Sequence, residues 1–262
     1  MAKIGLKLWS TNVGAWYEVA SRLFSEGVFD YLELFVVPGT SETLPRWQRL
    51  RMRLNLPFVI HAPHSACGFN LADATRRESN RRIYEEVRAF ADSLKAGHVI
   101  FHGGTDGTVA ETVRQLADLG ERRALIENKP FAPLPNSAGA RFCRGATASE
   151  IRQIIRGTGC GFCLDVGHAV CSANSQGLAP YAFVRELAAR FQPVMFHLSD
   201  ISDMSSSYDA HPHLGAGELD LDKICREIFP AGTSISVETE KNSPDDLDDF
   251  RRDVESLRGF LV

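Results

Sequence analysis

The stretch SNRRIYEEVRAFADSLKAGHVIFHGG, Ser79 to Gly104, decides the fold. Ile83, Val87, Phe90, Ala91 and Leu94 recur at helical spacing, which predicts an amphipathic helix over Ser79–Ala96. Gly97 is a helix stop. HVIFHG (98–103) follows at once, too short for a helix and with little alternation. Such a run reads as a parallel strand covered on both faces. It closes on His102, a side chain with chemistry to offer.

The same unit repeats in both directions. Strand-like runs occur at KIGLKLW (3–9), YLELFVV (31–37), PFVIHA (57–62), ALIEN (124–128), GFCLDV (161–166), VMFHLS (194–199) and SISVET (234–239). Ala15–Ser25 carries Val19, Leu23 and Phe24 on one stripe. Thr147–Ile155 opens with a Thr-Ala-Ser-Glu capping box. Tyr181–Phe191 and Asp245–Leu257 complete the helical set. Eight alternations predict an α/β protein with a single (β/α)8 TIM barrel. A doubly wound open sheet is the rival, and eight parallel units favour closure. The 262 residues match the roughly 250 of one barrel, so residues 1–262 are expected to form one domain. The irregular stretches Lys129–Ala146, Cys171–Leu178 and Ser202–Glu218 each follow a strand. That places them on the C-terminal face, where barrel enzymes build active sites.

Composition narrows the class. Hydrophobic content of 44% with 24% charged residues gives a real core and argues against disorder. A net charge of -4 supplies no global field for nucleic acid or anionic lipid. No apolar run approaches the roughly 18–20 residues of a membrane span. The opening MAKIGLKLWS enters a strand pattern without a signal-peptide core, so a cytoplasmic location is expected. Cys160 and Cys163 form a CxxC, but Cys163 lies within an apolar strand and no second CxxC follows. The six cysteines read as reduced thiols.

Imidazoles and carboxylates gather at the strand ends: His64, His102, Glu127, Asp165, His168, His197, Asp209, His211 and Glu238. These are ligands for zinc, manganese and iron. Glu127, Asp165 and Glu238 all interrupt apolar runs, and three buried carboxylates in one mouth would repel one another. Divalent cations relieve that repulsion. The spacing of Asp165 and His168 suits two neighbouring metals, and nine such groups suit a cluster of two or three. Glu33 in YLELF is expected to stand behind the ligands or to touch substrate, and Asn128 is read as substrate-binding. His61 lies deeper in its strand, where packing or hydrogen bonding behind the ligands is expected.

Seven motifs in order carry a resemblance. His64 is followed six residues later by Asn70-Leu71. Then come Phe101-His102-Gly103-Gly104, Ile126-Glu127-Asn128, Asp165 to His168, His197-Leu198-Ser199-Asp200, Asp209 to Gly217, and Glu238-Thr239. The chain resembles the xylose isomerase-like TIM-barrel superfamily, and within it endonuclease IV, the family 2 apurinic/apyrimidinic endonucleases. The resemblance implies a site of up to three zinc ions, with manganese or iron as other candidates. His64, His102 and Glu127 would hold one ion. Glu127, Asp165, His197 and Glu238 would hold the second, and His168, Asp209 and His211 the third. The chain is also similar to the sugar isomerases and epimerases of that superfamily. There Glu127, Asp165, His197 and Glu238 would hold one ion, with Glu127 and Glu238 as the catalytic, proton-passing pair.

Two features bear on the substrate. Endonuclease IV inserts a Tyr-Leu pair into DNA after its first metal histidine, whereas this chain has Ser65-Ala66-Cys67-Gly68. Arg76, Arg77, Arg81 and Arg82 read as a solvated helix face. The expectation is metal-dependent phosphoester hydrolysis on a small phosphorylated or sugar-like substrate, without duplex DNA or membrane as partner. The alternative is a sugar or sugar-phosphate isomerase or epimerase.

Overall fold

A computed structural model describes residues 2–134 and 139–261. Its eight strands are β1 (Lys3–Trp9), β2 (Tyr31–Phe35), β3 (Phe58–His61), β4 (Val99–His102), β5 (Ala124–Glu127), β6 (Gly161–Asp165), β7 (Met195–Leu198) and β8 (Ser234–Val237). They are parallel and close in chain order, with β8 pairing back onto β1 from Lys3↔Ser234 to Leu6↔Val237. The helices around them are α1 (Ala15–Ser25), α2 (Leu44–Leu54), α3 (Arg77–Ser93), α4 (Val109–Leu119), α5 (Ala148–Thr158), α6 (Val166–Ser175), α7 (Pro180–Phe191), α8 (Leu221–Glu227) and α9 (Asp248–Phe260). This is the (β/α)8 barrel that the alternation predicts. Among the described residues, no helix is long and apolar enough to cross a membrane.

Strand periodicity splits the core in two. Successive side chains point to opposite faces. One set, including Leu6, Leu32, Leu34, Ile60, Phe101, Ile126, Leu164, Phe196 and Val237, packs outward against the helices. The other set forms a small apolar plug inside the barrel, Tyr31, Val59, Ile100, Leu125, Cys163 and Met195. Two residues further along each of these strands, the inward positions become Glu33, His61, His102, Glu127, Asp165 and His197. The polar layer therefore sits directly on the plug, towards the C-terminal ends. Gly5 on β1 is required by this plug. A Cβ there would lie 2.4 Å from the Tyr31 ring, which reaches across to place its hydroxyl 3.1 Å from Ser236 Oγ.

Four helices, α2, α4, α6 and α8, fall outside the expected set. In α2 only Trp47 and Leu50 are buried, and α4 turns Glu111, Thr112 and Gln115 inward beside Val109 and Leu116. Residues Val166–Ala173 of α6 are buried on every side, so the irregular stretch expected from Cys171 is helical as far as Ser175. α3 runs from Arg77 to Ser93 and α9 from Asp248 to Phe260, each displaced by about one turn from the expected span. α5 starts where its capping box predicts, with Thr147 accepting from the Glu150 amide. In the Lys129–Ala146 connection, residues 135–138 lie outside the described residues.

Candidate metal centre

Glu127, the last residue of β5, is the hub. Its Oε2 lies 3.0 Å from His61 Nε2 and 3.0 Å from His102 Nε2, and its Oε1 lies 2.9 Å from His168 Nδ1. His197 Nδ1 stands 3.6 Å from Oε2 and 2.6 Å from Glu238 Oε1. Asp165 Oδ2 is 3.9 Å from His197 Nδ1, while Asp165 Oδ1 caps α6 at the His168 amide, 2.7 Å away. Asp209 Oδ2 lies 3.0 Å from both His168 Nε2 and His211 Nε2. Eight of the nine expected ligands thus stand in one connected set of contacts.

His64 stands apart. It lies three residues past β3 and starts the short turn Ser65–Cys67. Its ring is 5.3 Å from Phe35 and nearly parallel to His102 at 6.1 Å. His61 takes the place beside Glu127 and His102 instead. The signal was its position: it is the inward residue two beyond Val59, level with His102 and Glu127. Glu33 is fully buried beneath the cluster and holds His197 Nε2 at 2.9 Å and the Ser236 hydroxyl at 2.5 Å. Both amide atoms of Asn128 engage the Asp165 backbone at 2.8 Å, so Asn128 orients the end of β6. Lys7 was not singled out by its sequence context. Its ammonium lies 3.2 Å from Glu33 and bonds Glu238 directly.

The loop Asp200–Gly217 carries Asp209 and His211 and is organised by one buried carboxylate. Asp200 accepts from the amides of Ile201 at 2.7 Å, Gly215 at 2.8 Å and Leu219 at 3.0 Å. Gly217 passes so close that a Cβ would lie 2.5 Å from Asp200 Oδ1.

Electrostatics follow from this crowding. Burial works to raise the Glu127 carboxyl, but the imidazoles of His102 and His197 outweigh it and hold it well below the usual carboxylate range. Glu238 is likewise held low, by His197 and Lys7 against burial. Burial leads in raising Asp165, which faces Glu127, Glu238 and Asp209. Burial, with Lys129 nearby, lowers His64 to about 4, so its imidazole is neutral at physiological pH.

The donor set suits divalent cations. His61 Nδ1 donates to the Ala62 carbonyl at 2.7 Å, and His168 Nδ1 donates to the Asn128 carbonyl at 2.9 Å. Each ring turns Nε2 towards a carboxylate oxygen, Glu127 for His61 and Asp209 for His168, and against burial the carboxylates of Asp165 and Asp209 raise the His168 imidazole to about 10. Imidazole nitrogens and carboxylate oxygens gathered this closely are the ligand types that divalent cations take. Buried His102 Nδ1, Asp209 Oδ1 and His211 Nδ1 also lack hydrogen-bond partners among the described residues. Four groups could hold an ion: Glu33/His61/His197, His61/His102/Glu127, Glu127/Asp165/His197 and His168/Asp209/His211.

Comparison with known proteins agrees with the barrel. A family model described as a xylose isomerase-like TIM barrel matches residues 24–260. "Probable endonuclease 4" of Mycobacterium ulcerans (strain Agy99) is 30% identical over 213 residues, covering 77% of this chain and 80% of that protein. The crystal structure of a D-tagatose 3-epimerase-like protein superposes with a TM-score of 0.72 at 21% identity, covering 99% of this chain and 97% of the other. An L-ribulose 3-epimerase structure gives 0.69 at 15% identity, covering 100% and 93%. At these identities the two structures share the fold alone.

Proposed function

This chain belongs to the xylose isomerase-like TIM-barrel family, and from that premise we propose that it hydrolyses phosphoesters of small or non-duplex substrates at a multinuclear metal centre. It is an enzyme of that superfamily. The observation that carries the reading is Glu127, shared by two adjacent ligand groups, with a third group beside them. A single-ion site has no need of so many donors. Zinc suits the imidazole and carboxylate set, with manganese or iron as alternatives.

Bound divalent cations supply Lewis acidity at a phosphoryl group and offset its negative charge. The chain's own residues do the rest. Glu127 orients three imidazoles at once. Glu238 has Oε1 engaged by His197 and Lys7, while no described residue donates to its Oε2. That oxygen is available to accept a proton from an attacking water. His64 and His102 line the same side of the mouth with neutral imidazoles.

The rim supports a small substrate. Trp9, Phe131 and Tyr208 are exposed on the C-terminal face and offer flat surfaces for a ring. The turn Ser65–Cys67 carries no bulky side chain that could fill a gap in a duplex, and unstacking costs a few kcal/mol. Arg77 is engaged by Glu111 and Arg82 by Glu78, which offsets two of the four charges of that cluster. The expected result is turnover of small phosphodiesters or phosphomonoesters with zinc or manganese, and no efficient nicking of an abasic duplex at low salt. Multiple-turnover nicking that disappears in Glu127→Gln would replace this substrate assignment with DNA repair.

One observation favours the second reading, a sugar or sugar-phosphate isomerase or epimerase with a single ion. Glu127 and Glu238 stand on either side of His197 Nδ1, at 3.6 and 2.6 Å, so the two carboxylates that would pass protons are brought close together. Elemental analysis separates the two readings, because more than one ion per chain supports hydrolysis.

A further inference from the structure

Strand alternation carries the inward face of the barrel one layer beyond the ligands. On β1 the inward positions are Gly5 at the plug, Lys7 among the carboxylates and Trp9 at the rim. On β2 they are Tyr31, Glu33 and Phe35. Trp9 and Phe35 are paired in register, and their rings stand 5.3 Å apart. Phe35 in turn lies 5.4 Å from the ring of His61 and 5.3 Å from that of His64. Rings therefore follow one another without a break from the ligand layer to the rim. Phe35 is buried within this wall, whereas Trp9 is 52% exposed. The Trp9 backbone is fixed, because Asn12 Oδ1 accepts from its amide at 2.7 Å. Across the barrel the mouth is polar, and Lys129, beyond β5, brings Nζ to 3.0 Å from His168 Nε2.

One wall of the mouth is thus aromatic and ends in an uncovered indole. Phe35 has no hydrogen-bonding group and Trp9 has a single N–H, so this wall suits a flat ring better than a face of hydroxyls. Two residues of strand separate Lys7 from Trp9, about 6–7 Å at the rise of a β-strand. A phosphoryl group held at the ligands leaves room for a pentose before a ring reaches Trp9. We propose that the substrate carries a nucleobase joined through its sugar to the reacting phosphate, and that Trp9 selects it by stacking. This rests on reading the mouth as a phosphoester-hydrolysing centre. Every base has a π-face, so Trp9 selects for a base without selecting which one. A single nucleotide meets this wall without any need to open a duplex.

The test compares adenosine 5′-monophosphate with ribose 5-phosphate, which share a phosphate and a pentose and differ in the base. Both are assayed as substrates with zinc or manganese, using wild type, Trp9→Ala and Trp9→Phe, with circular dichroism as the folding check. Wild type is expected to prefer the nucleotide in kcat/KM by about 10–100-fold, the span of one base–aromatic stack. Trp9→Ala is expected to remove most of that preference through KM, and Trp9→Phe to retain most of it. Equal kcat/KM for the two phosphates in wild type, or an unchanged preference in Trp9→Ala, overturns the proposal. The wild-type comparison decides the matter where Trp9→Ala does not fold. Calorimetric titration with adenosine and with ribose needs no turnover. If neither phosphate is hydrolysed, adenosine that binds wild type and weakens in Trp9→Ala supports the base subsite, and only the hydrolytic reading falls. Adenosine that binds neither protein, or both equally, overturns the subsite itself.

Discussion

Glu127 and His211 show how unequal two ligand-type residues of one cluster can be. Glu127 is buried and contacts His61, His102 and His168 at 3.0 Å or less, whereas His211 is partly exposed and, among the described residues, its side chain pairs with Asp209 alone. Glu127→Gln is expected to lower kcat by about 10²–10⁴-fold, the span of a positioned acid–base group, and His211→Ala by clearly less. Comparable losses in steady-state assays would show that the Asp209 group is as central as Glu127. Lys241 gives a pH signature. Burial lowers its ammonium from 10.5 to about 8, and the carboxylates of Glu238, Asp249 and Asp253 only partly offset this. Between those values the unfolded chain binds more protons than the folded one. Stability contributed by this group therefore falls as pH drops from 10.5 to 8 and levels off below. Lys241→Met removes that cost and also the bond to the Thr239 carbonyl. The variant is expected to be more stable than wild type at pH 7 by about 2–3 kcal/mol, taking 1.36 kcal/mol per pKa unit less one hydrogen bond. Urea melts should show the difference shrinking as pH rises from 8 towards 10.5. A difference that is constant across that range would refute the assignment.

At the scale of elements, the loop between β7 and α8 depends on Asp200. Its carboxylate replaces the regular hydrogen bonding that an irregular segment lacks, taking the amides of Ile201, Gly215 and Leu219. Asp200→Ala leaves those donors without an acceptor, at about 1–3 kcal/mol for each group that stays buried and unpaired. The expected outcome is a protein destabilised by about 2–4 kcal/mol, with amides of residues 201–219 exchanging faster while those of β4 and β5 keep their protection. Uniform protection across the loop would mean that other contacts hold Asp209 and His211 in place.

For the whole molecule, closure of β8 onto β1 makes the first and last strands neighbours, so neither half of the barrel has a complete core without the other. We therefore expect one cooperative unfolding unit. The three tryptophans, Trp9, Trp16 and Trp47, all lie in the first part of the chain, while far-ultraviolet circular dichroism reports on every helix. The two signals should trace one transition in urea. Fluorescence that melts well before dichroism would divide the chain into two units.

The sequence by itself determined the barrel and the membership of its mouth. Short apolar runs at regular intervals force parallel strands between helices. An imidazole or carboxylate at the end of such a run has no apolar face to occupy and is carried to the C-terminal rim. That is why Glu127, Asp165, His168 and His197 were legible from local context. Only the tertiary structure decided which of these groups meet. Glu33 contacts His197 across 164 residues and Ser236 across 203, pairings set by the circumference of the closed sheet. That His61 and not His64 contacts Glu127 turns on which residue faces inward at that level, a matter of strand register. The helices α2, α4 and α8 fell outside the expected set although apolar residues line their inner faces, Trp47 and Leu50 in α2, Val109, Val113 and Leu116 in α4, and Leu221, Ile224 and Cys225 in α8; in α4 the buried Glu111, Thr112 and Gln115 dilute that stripe. Lys7 and Lys129 read as ordinary lysines along the chain. They became part of the site because the barrel directs their side chains towards carboxylates and imidazoles contributed by other strands.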